Sequence, residues 1–158
     1  METIRNIVGK FIYKLYLNDA KDEFGFIFLH PGAKERYSFC LYKVESQCCS
    51  ESWIETIESY ENIKEEVVTE VSELNLYEEI DIKYQYCKRE LKEHNDCLKK
   101  YGLDIKTKKG TCTIDYRNAS TGFYGADISN MHKELFCDDY YYLIDVIHRL
   151  GFKEALLK

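Results

Sequence analysis

The chain has 158 residues, of which 45% are hydrophobic, 15% are aromatic and 32% are charged, and its formal net charge is −6. This length fits one domain with one core, residues 1–158, and 14 tyrosines with eight phenylalanines exclude a disordered chain. No apolar run approaches the roughly 18 residues of a membrane span, and the N-terminus lacks a signal-peptide pattern, so we expect a cytoplasmic protein without membrane contact.

Strands are predicted first, between residues 11 and 44. Hydrophobic residues alternate with other residues over 11–18, 24–28 and 37–42, which is the period of a half-buried strand. The links between these segments are short and polar, and the second contains His30-Pro31-Gly32, the only proline site. Three consecutive strands with short links favour an antiparallel meander.

A short helix is predicted to follow the third strand. Ser52 is a suitable N-cap, and Glu55 three residues later completes a capping box. On such a helix Trp53 would face the core, whereas Glu51, Glu55 and Glu58 would share the outer face. The sequence therefore predicts an amphipathic helix with an acidic surface.

The second half of the chain alternates again. Period-two patterns predict strands at residues 66–73, 80–86, 103–108, 111–117 and 124–128. Residues 87–100 are charged and mixed, so we interpret them as an insert in a core of residues 5–130, either a solvated helix or a long connection. Residues 136–150 have helical spacing, with Gly151 as the expected C-cap. The predicted fold class is α+β, mainly antiparallel sheet with the short acidic helix and a C-terminal helix.

Charge is distributed unevenly along this framework. Residues 45–81 contain 12 acids and one base, Lys64, whereas the rest of the chain contains 16 acids and 21 bases. Like charges at this density repel one another in a compact fold, so this acidic segment is the best candidate for a surface that binds a basic partner. A solvated surface without a partner is the alternative. Residues 83–109 hold nine bases, but four acids interleave with them, so direct nucleic-acid binding is not expected.

Cysteine chemistry is a weaker signal. The seven cysteines are odd in number and contain no C-x-x-C pair, so free thiols are the expectation. Cys49 precedes the start of a predicted helix, a position where the pKa of a thiol can be lowered. Residue types that ligate zinc also occur close together at Cys87, His94 and Cys97, but their spacing is unusual for a structural zinc site. We expect no catalytic residue, no metal and no cofactor, while a thiol or zinc enzyme stays open.

Two stretches carry a resemblance: Cys48-Cys49-Ser50-Glu51-Ser52-Trp53-Ile54 and Arg117-Asn118-Ala119-Ser120-Thr121-Gly122-Phe123-Tyr124-Gly125. Together they resemble an uncharacterised domain family of phages and prophages with C-C-S-x-S-W and N-S-S-N-G-Y-Y-G-G elements. The chain departs from that pattern at Ala119, Thr121, Phe123 and Ala126. The resemblance covers residues 5–130 and implies a small α+β domain from a mobile element, with no activity. The matching positions are Cys48, Cys49, Ser52, Trp53, Asn118, Gly122, Tyr124 and Gly125.

In size, acidity and a Lys/Glu/Tyr/Ile-rich composition the chain is also similar to type II-A anti-CRISPR proteins, the Cas9 inhibitors of staphylococcal mobile elements. This resemblance implies a non-enzymatic protein that binds Cas9 with its guide RNA in the host bacterial cytoplasm. The alternative is a small-ligand or nucleotide-binding module of a mobile element, with residues 118–125 and 48–53 facing one pocket. The expected protein-binding residues are Glu51, Glu55, Glu58, Glu65, Glu66 and Glu70.

Overall fold

The computed structural model describes residues 4–46, 50–81, 97–120 and 126–156, with the backbone alone at 74–81 and 97. The strands are β1 (Phe11–Asn18), β2 (Glu23–His30), β3 (Arg36–Ser46), β4 (Glu51–Glu58), β5 (Glu66–Val67), β6 (Glu70–Asp81), β7 (Cys97–Thr107), β8 (Gly110–Ser120), β9 (Ala126–Cys137) and β10 (Phe152–Glu154). The helix α1 spans Tyr140–Arg149, and 3₁₀ turns occupy Ile4–Ile7 and Tyr60–Asn62. The α+β class, mainly antiparallel sheet with a C-terminal helix, is confirmed.

These strands form two antiparallel sheets. The first sheet has the order β10-β1-β2-β3-β9, with β5 also paired to β1, and the second has the order β4-β8-β7-β6. The predicted meander is confirmed, because β1 pairs with β2 and β2 pairs with β3. Lys108 and Lys109 form the turn that joins β7 to β8.

The main core lies between the two sheets. Phe24, Phe26 and Phe28 occupy alternate positions of β2, so all three rings point from the first sheet towards the second. There they join apolar side chains of β7 and β8, among them Leu103 and Ile114, which are fully buried. The aromatic residues that alternate along β2 therefore build the contact between the sheets.

The opposite face of the first sheet packs against α1. Leu143 and Ile147 of the helix join Ile27 and Phe39 of the sheet in a second apolar cluster. Gly25 is required beneath it, because a Cβ atom at this position would lie 2.4 Å from the Phe39 ring. The described chain thus has three layers, in the order helix, sheet, sheet.

The predicted acidic helix is wrong, because Glu51–Glu58 forms strand β4. This segment pairs with β8, with Trp53 opposite Arg117 and Ile54 opposite Tyr116. The register shifts between Ile54 and Thr56, and this β-bulge lets Ile54 and Ile57 face the same core although they are three residues apart. Three-residue apolar spacing, which resembles a helix in the sequence, arises here from a bulged strand.

The other boundaries differ less. The C-terminal helix begins at Tyr140 instead of residue 136, because Phe136 pairs with Ser38 in the first sheet. Asp139 is the N-cap and accepts a hydrogen bond from the Tyr142 backbone N–H at 3.1 Å. Gly151 follows the helix with φ of +89°, as expected for a C-terminal glycine. Of the charged segment 87–100, residues 97–100 belong to β7 and the others lie outside the described residues.

The outer edge of β1 is closed by three separate contacts. Strand β5 pairs with its beginning and β10 with its end. Between them the Leu15 backbone N–H donates to the Tyr60 hydroxyl at 3.0 Å, and the Leu15 carbonyl accepts from the Ala155 N–H at 2.8 Å. Tyr60 is fully buried and donates its own hydroxyl proton to the Glu154 carboxylate at 2.8 Å. The Tyr60 side chain, from the turn after β4, therefore accepts the hydrogen bond that a neighbouring strand would otherwise accept.

The Glu154 carboxylate, which accepts the Tyr60 hydrogen bond, is also paired with two lysines. Lys64 Nζ lies 2.8 Å from one carboxylate oxygen and Lys14 Nζ lies 3.5 Å from the other. Burial on its own would raise the pKa of Glu154, but the hydrogen bonds from Lys64 and Tyr60 and the charge of Lys14 hold that pKa below its ordinary value of 4.5. The ionised carboxylate is thus the form that the fold stabilises.

We expect Tyr60→Phe to lower the free energy of unfolding by about 1–3 kcal/mol, because it leaves the buried Leu15 N–H without an acceptor and removes a donor from Glu154. Urea unfolding measures the change. Tyr141→Phe is the matched control, since Tyr141 is 83% exposed, and should change stability by less than about 0.5 kcal/mol. Equal effects of the two substitutions would contradict this role of Tyr60.

The Glu154 carboxylate should also make stability depend on pH. Since its pKa is lower in the folded chain, its contribution is complete above the unfolded pKa and is lost as the pH falls through the folded one. The stability difference between wild type and Glu154→Gln should therefore be constant near neutral pH and shrink below about pH 4.5. Urea titrations at several pH values test this, with Glu45→Gln, an exposed carboxyl, as the control that should follow wild type throughout.

Candidate functional site

The six predicted contact glutamates do not share one face. Glu55 and Glu66 are buried, with 8% and 9% of their surface exposed, whereas Glu58, Glu65 and Glu70 are exposed and Glu51 is half-buried. The six lie on β4, on the turn that follows it, and at the starts of β5 and β6. They therefore have separate roles, which their surroundings define.

Glu55 belongs to a buried polar cluster on β4 and β8. The Trp53 indole N–H donates to its carboxylate at 2.6 Å, and Arg117 Nη1 lies 3.9 Å from the other oxygen. Arg117 also approaches Asp115, with Nη2 3.4 Å from Oδ2. Since a buried carboxylate needs such partners, Glu55 stabilises the contact between the two strands and is not available to a binding partner.

Two further acids are neutralised by lysines of the β7–β8 hairpin. Glu66 lies 3.7 Å from Lys109 Nζ and 4.0 Å from Lys108 Nζ, while Glu70 lies 3.8 Å from Lys106 Nζ. These lysines come from the basic stretch 83–109. The charge separation along the sequence is thus partly cancelled when β6 pairs with β7.

Three exposed acids at the end of β4 and in the turn that follows it are Glu58, Glu61 and Glu65, which we name the acidic turn. No described base lies within ion-pair distance of these three carboxylates. Burial, together with the charges of Glu61, Asp104 and Glu58, raises the pKa of the Cys112 thiol to about 12, so Glu58 and Glu61 act on the same buried thiol. Glu61 lies next to the buried Tyr60 and was absent from the six residues predicted from the sequence.

Asn62 holds the acidic turn against the β7–β8 hairpin. Its side-chain amide donates to the Thr111 carbonyl at 3.0 Å, and its backbone carbonyl accepts the hydroxyl hydrogen bond of Thr107. Gly110 makes room for this contact, since a Cβ atom there would lie 2.8 Å from the Asn62 amide nitrogen. Gly110 also has φ of +145°, a conformation that favours glycine. The three acids are consequently displayed on an anchored loop.

A group of tyrosine rings forms a second surface feature, which we name the tyrosine cluster: Tyr13, Tyr37, Tyr140 and Tyr141. The rings of Tyr13 and Tyr140 meet edge to face at 5.1 Å, those of Tyr37 and Tyr140 lie 5.2 Å apart, and Tyr141 continues the group at 5.6 Å from Tyr140. Ile12 of β1 pairs with Glu66 of β5, so the neighbouring residues Tyr13 and Glu65 bring the cluster close to the acidic turn. The signal in the sequence is the run Tyr140-Tyr141-Tyr142, whose surroundings indicate only a helix.

The two motifs that carry the phage-family resemblance meet in the second sheet. Ser52 of β4 lies opposite Asn118 of β8, and the Asn118 amide donates to the hydroxyls of Ser50 and Ser52, each at 3.0 Å. Asn118 is fully buried, and Ser52 and Trp53 are nearly so. The described motif residues therefore form a buried contact between strands, and the other members (Cys48, Cys49, Gly122, Tyr124 and Gly125) lie outside the described residues.

The described residues offer little support for a reactive thiol or a metal site. Burial raises the pKa values of Cys40 and Cys112 to about 12, which disfavours the reactive thiolate. Within residues 4–46, 50–81, 97–120 and 126–156 no group of three or more His, Cys, Asp or Glu side chains could hold a metal ion. Cys49, Cys87 and His94 lie outside these ranges.

Comparison of the chain with models of protein families, with curated proteins and with solved structures finds no match. Among the described residues, no helix has the length and apolar character that crossing a membrane requires. The resemblances drawn from motifs and composition stay predictions.

We expect Glu55→Ala to lower the free energy of unfolding by about 3 kcal/mol, because it leaves Arg117 buried without one of its carboxylates. Glu58→Ala, three residues along the same strand but exposed, should change stability by less than about 0.5 kcal/mol. Guanidinium unfolding of the two variants measures the difference. If Glu55→Ala left the free energy of unfolding unchanged, the Glu55 carboxylate would not stabilise the contact between β4 and β8.

Proposed function

We propose that this chain is a Cas9 inhibitor that acts by binding, without catalysis, through the acidic turn. The observation that supports the proposal is the exposure of Glu58, Glu61 and Glu65 on a loop that Asn62 anchors. Anchored charges lose little conformational freedom on binding, so their attraction to a basic partner is retained as affinity.

The tyrosine cluster supplies a second property of a protein-binding surface. Tyrosine is enriched among residues that dominate binding energy, because a large ring buries apolar area while its hydroxyl keeps a hydrogen bond. Tyr141 is 83% exposed, and the register of β1 with β5 brings Tyr13 of the cluster close to Glu65. Acids beside partly exposed aromatic rings suit a partner whose basic surface also offers flat apolar contacts.

Cas9 fits this description, because it holds the guide–target duplex in a positively charged channel and contacts the displaced strand with basic side chains. Carboxylates that occupy such a surface compete with the phosphate backbone for the same lysines and arginines. Inhibition of this kind needs no reacting group in the inhibitor, and it should weaken as salt screens the charges.

The test is a charge reversal of the acidic turn, Glu58→Lys with Glu61→Lys and Glu65→Lys, with inhibition of Cas9 cleavage as the readout. We expect the half-inhibitory concentration to rise at least about tenfold and its salt dependence to become weaker. Glu55 and Glu66 are left unchanged, since reversing a buried acid would disturb the fold.

The control variant reverses three exposed acids elsewhere, Asp19→Lys with Glu45→Lys and Asp145→Lys, so that net charge changes equally. Its inhibition should stay within about twofold of wild type, because its binding surface is intact. Circular dichroism must show both variants folded. If the two variants lost inhibition equally, the effect would come from net charge and not from the acidic turn. Unchanged inhibition by the variant with a reversed acidic turn would overturn the proposal.

A further inference from the structure

A pocket of about 500 Å³ lies beside α1 on the helix side of the first sheet. Phe39, Leu41 and Phe152 line its sheet side, and Met131 and Leu135 of β9 line another. The helix covers the centre of this sheet face with Leu143 and Ile147, and the pocket opens where that cover ends. Its size is within the range of small-molecule sites, about 300–1,000 Å³.

The pocket wall leaves apolar surface in contact with water. Leu150, directly after α1, is 54% exposed and Leu135 is 40% exposed, and both line the pocket. Exposed apolar area of this kind is unfavourable by about 25 cal/mol per Å², so an apolar occupant that covered both side chains would be stabilised.

A β-bulge brings positive charge to the rim. Between the pairs Cys40–Glu134 and Tyr42–Asn130 a single residue of β3 faces three residues of β9, residues 131–133. His132 has φ of +54°, and both His132 and Lys133 line the pocket. The extra residues of the bulge therefore place a cationic side chain and an imidazole beside an apolar cavity.

Two acids, Glu23 and Glu134, also line the pocket. The carboxylate of Glu134 accepts a hydrogen bond from the Cys40 thiol at 3.2 Å, and Cys40 belongs to the core between the sheets, so this carboxylate lies on the other face of β9. Glu23 is on β2, which β3 separates from β9, and its carboxylate lies 3.5 Å from the side-chain amide of Asn18. Lys133 thus remains the cation best placed to meet an anionic group on a bound molecule.

We propose that this pocket binds a carboxylate with an apolar chain, of the medium-chain fatty acid class. The chain contacts the floor formed by Phe39, Leu41 and Phe152, and the carboxylate pairs with the ammonium group of Lys133. Recognition by one charge at the mouth and apolar side chains below is the usual composition of small-molecule sites. This site is separate from the acidic turn and does not depend on the proposed inhibition of Cas9.

Isothermal titration of the full chain with decanoate and with decanol tests the site. We expect saturable one-to-one binding of decanoate, about tenfold tighter than decanol, because only decanoate pairs with Lys133. Lys133→Glu should abolish this preference while it preserves decanol binding. Lys108→Glu, an 82% exposed lysine on the β7–β8 hairpin, makes the same charge change and should keep the preference.

A second variant tests the cavity itself. Met131→Trp places a larger side chain in the wall and should weaken both ligands at least about tenfold. Far-UV circular dichroism and urea unfolding show whether the variant is folded. Non-saturable uptake of decanoate, retained binding in folded Met131→Trp, or equal loss of preference in Lys133→Glu and Lys108→Glu would each overturn the proposal.

Discussion

The requirement that buried backbone groups find hydrogen-bond partners governs the outer edge of β1, and much of the structure follows from how it is met. Two short strands cover the ends of this edge, and the Tyr60 hydroxyl covers the middle. Tyr60 also binds Glu154, which is held by two lysines. The turn after β4, the edge of the first sheet and the end of the chain are thereby joined, so the acidic turn that begins at Glu58 is attached to the core at its centre.

The strands of the first sheet were predictable because their pattern is local. Alternating apolar residues and polar turns specify β1, β2 and β3 without knowledge of what they pack against. Strand β4 was not predictable in this way, because its bulge gives Ile54 and Ile57 a helical spacing and Ser52 with Glu55 resembles a capping box. Pairing with β8, far along the chain, overrides both local signals.

The charge pattern of the sequence identified the acidic segment, but it did not show which of its acids are exposed. Residues 45–81 are strongly acidic, yet Glu55 and Glu66 are buried beside bases whose positions become close only on folding. Burial of a single glutamate depends on partners on other strands, which no window of sequence contains. The tyrosine cluster is a similar case, since Tyr13, Tyr37 and Tyr140 come from β1, β3 and α1 and are neighbours only in three dimensions.

The bulge in β9 has a consequence for how copies of this protein behave in concentrated solution. Strand β9 is at one end of the first sheet, and twelve residues of edge that include the 68% exposed Phe136 would be a template for joining sheets of neighbouring molecules. The irregular residues 131–133 interrupt that edge, and Lys133 adds a charge that a second strand would have to desolvate. The same irregularity that shapes the pocket thus protects the protein against aggregation through this open edge of the first sheet.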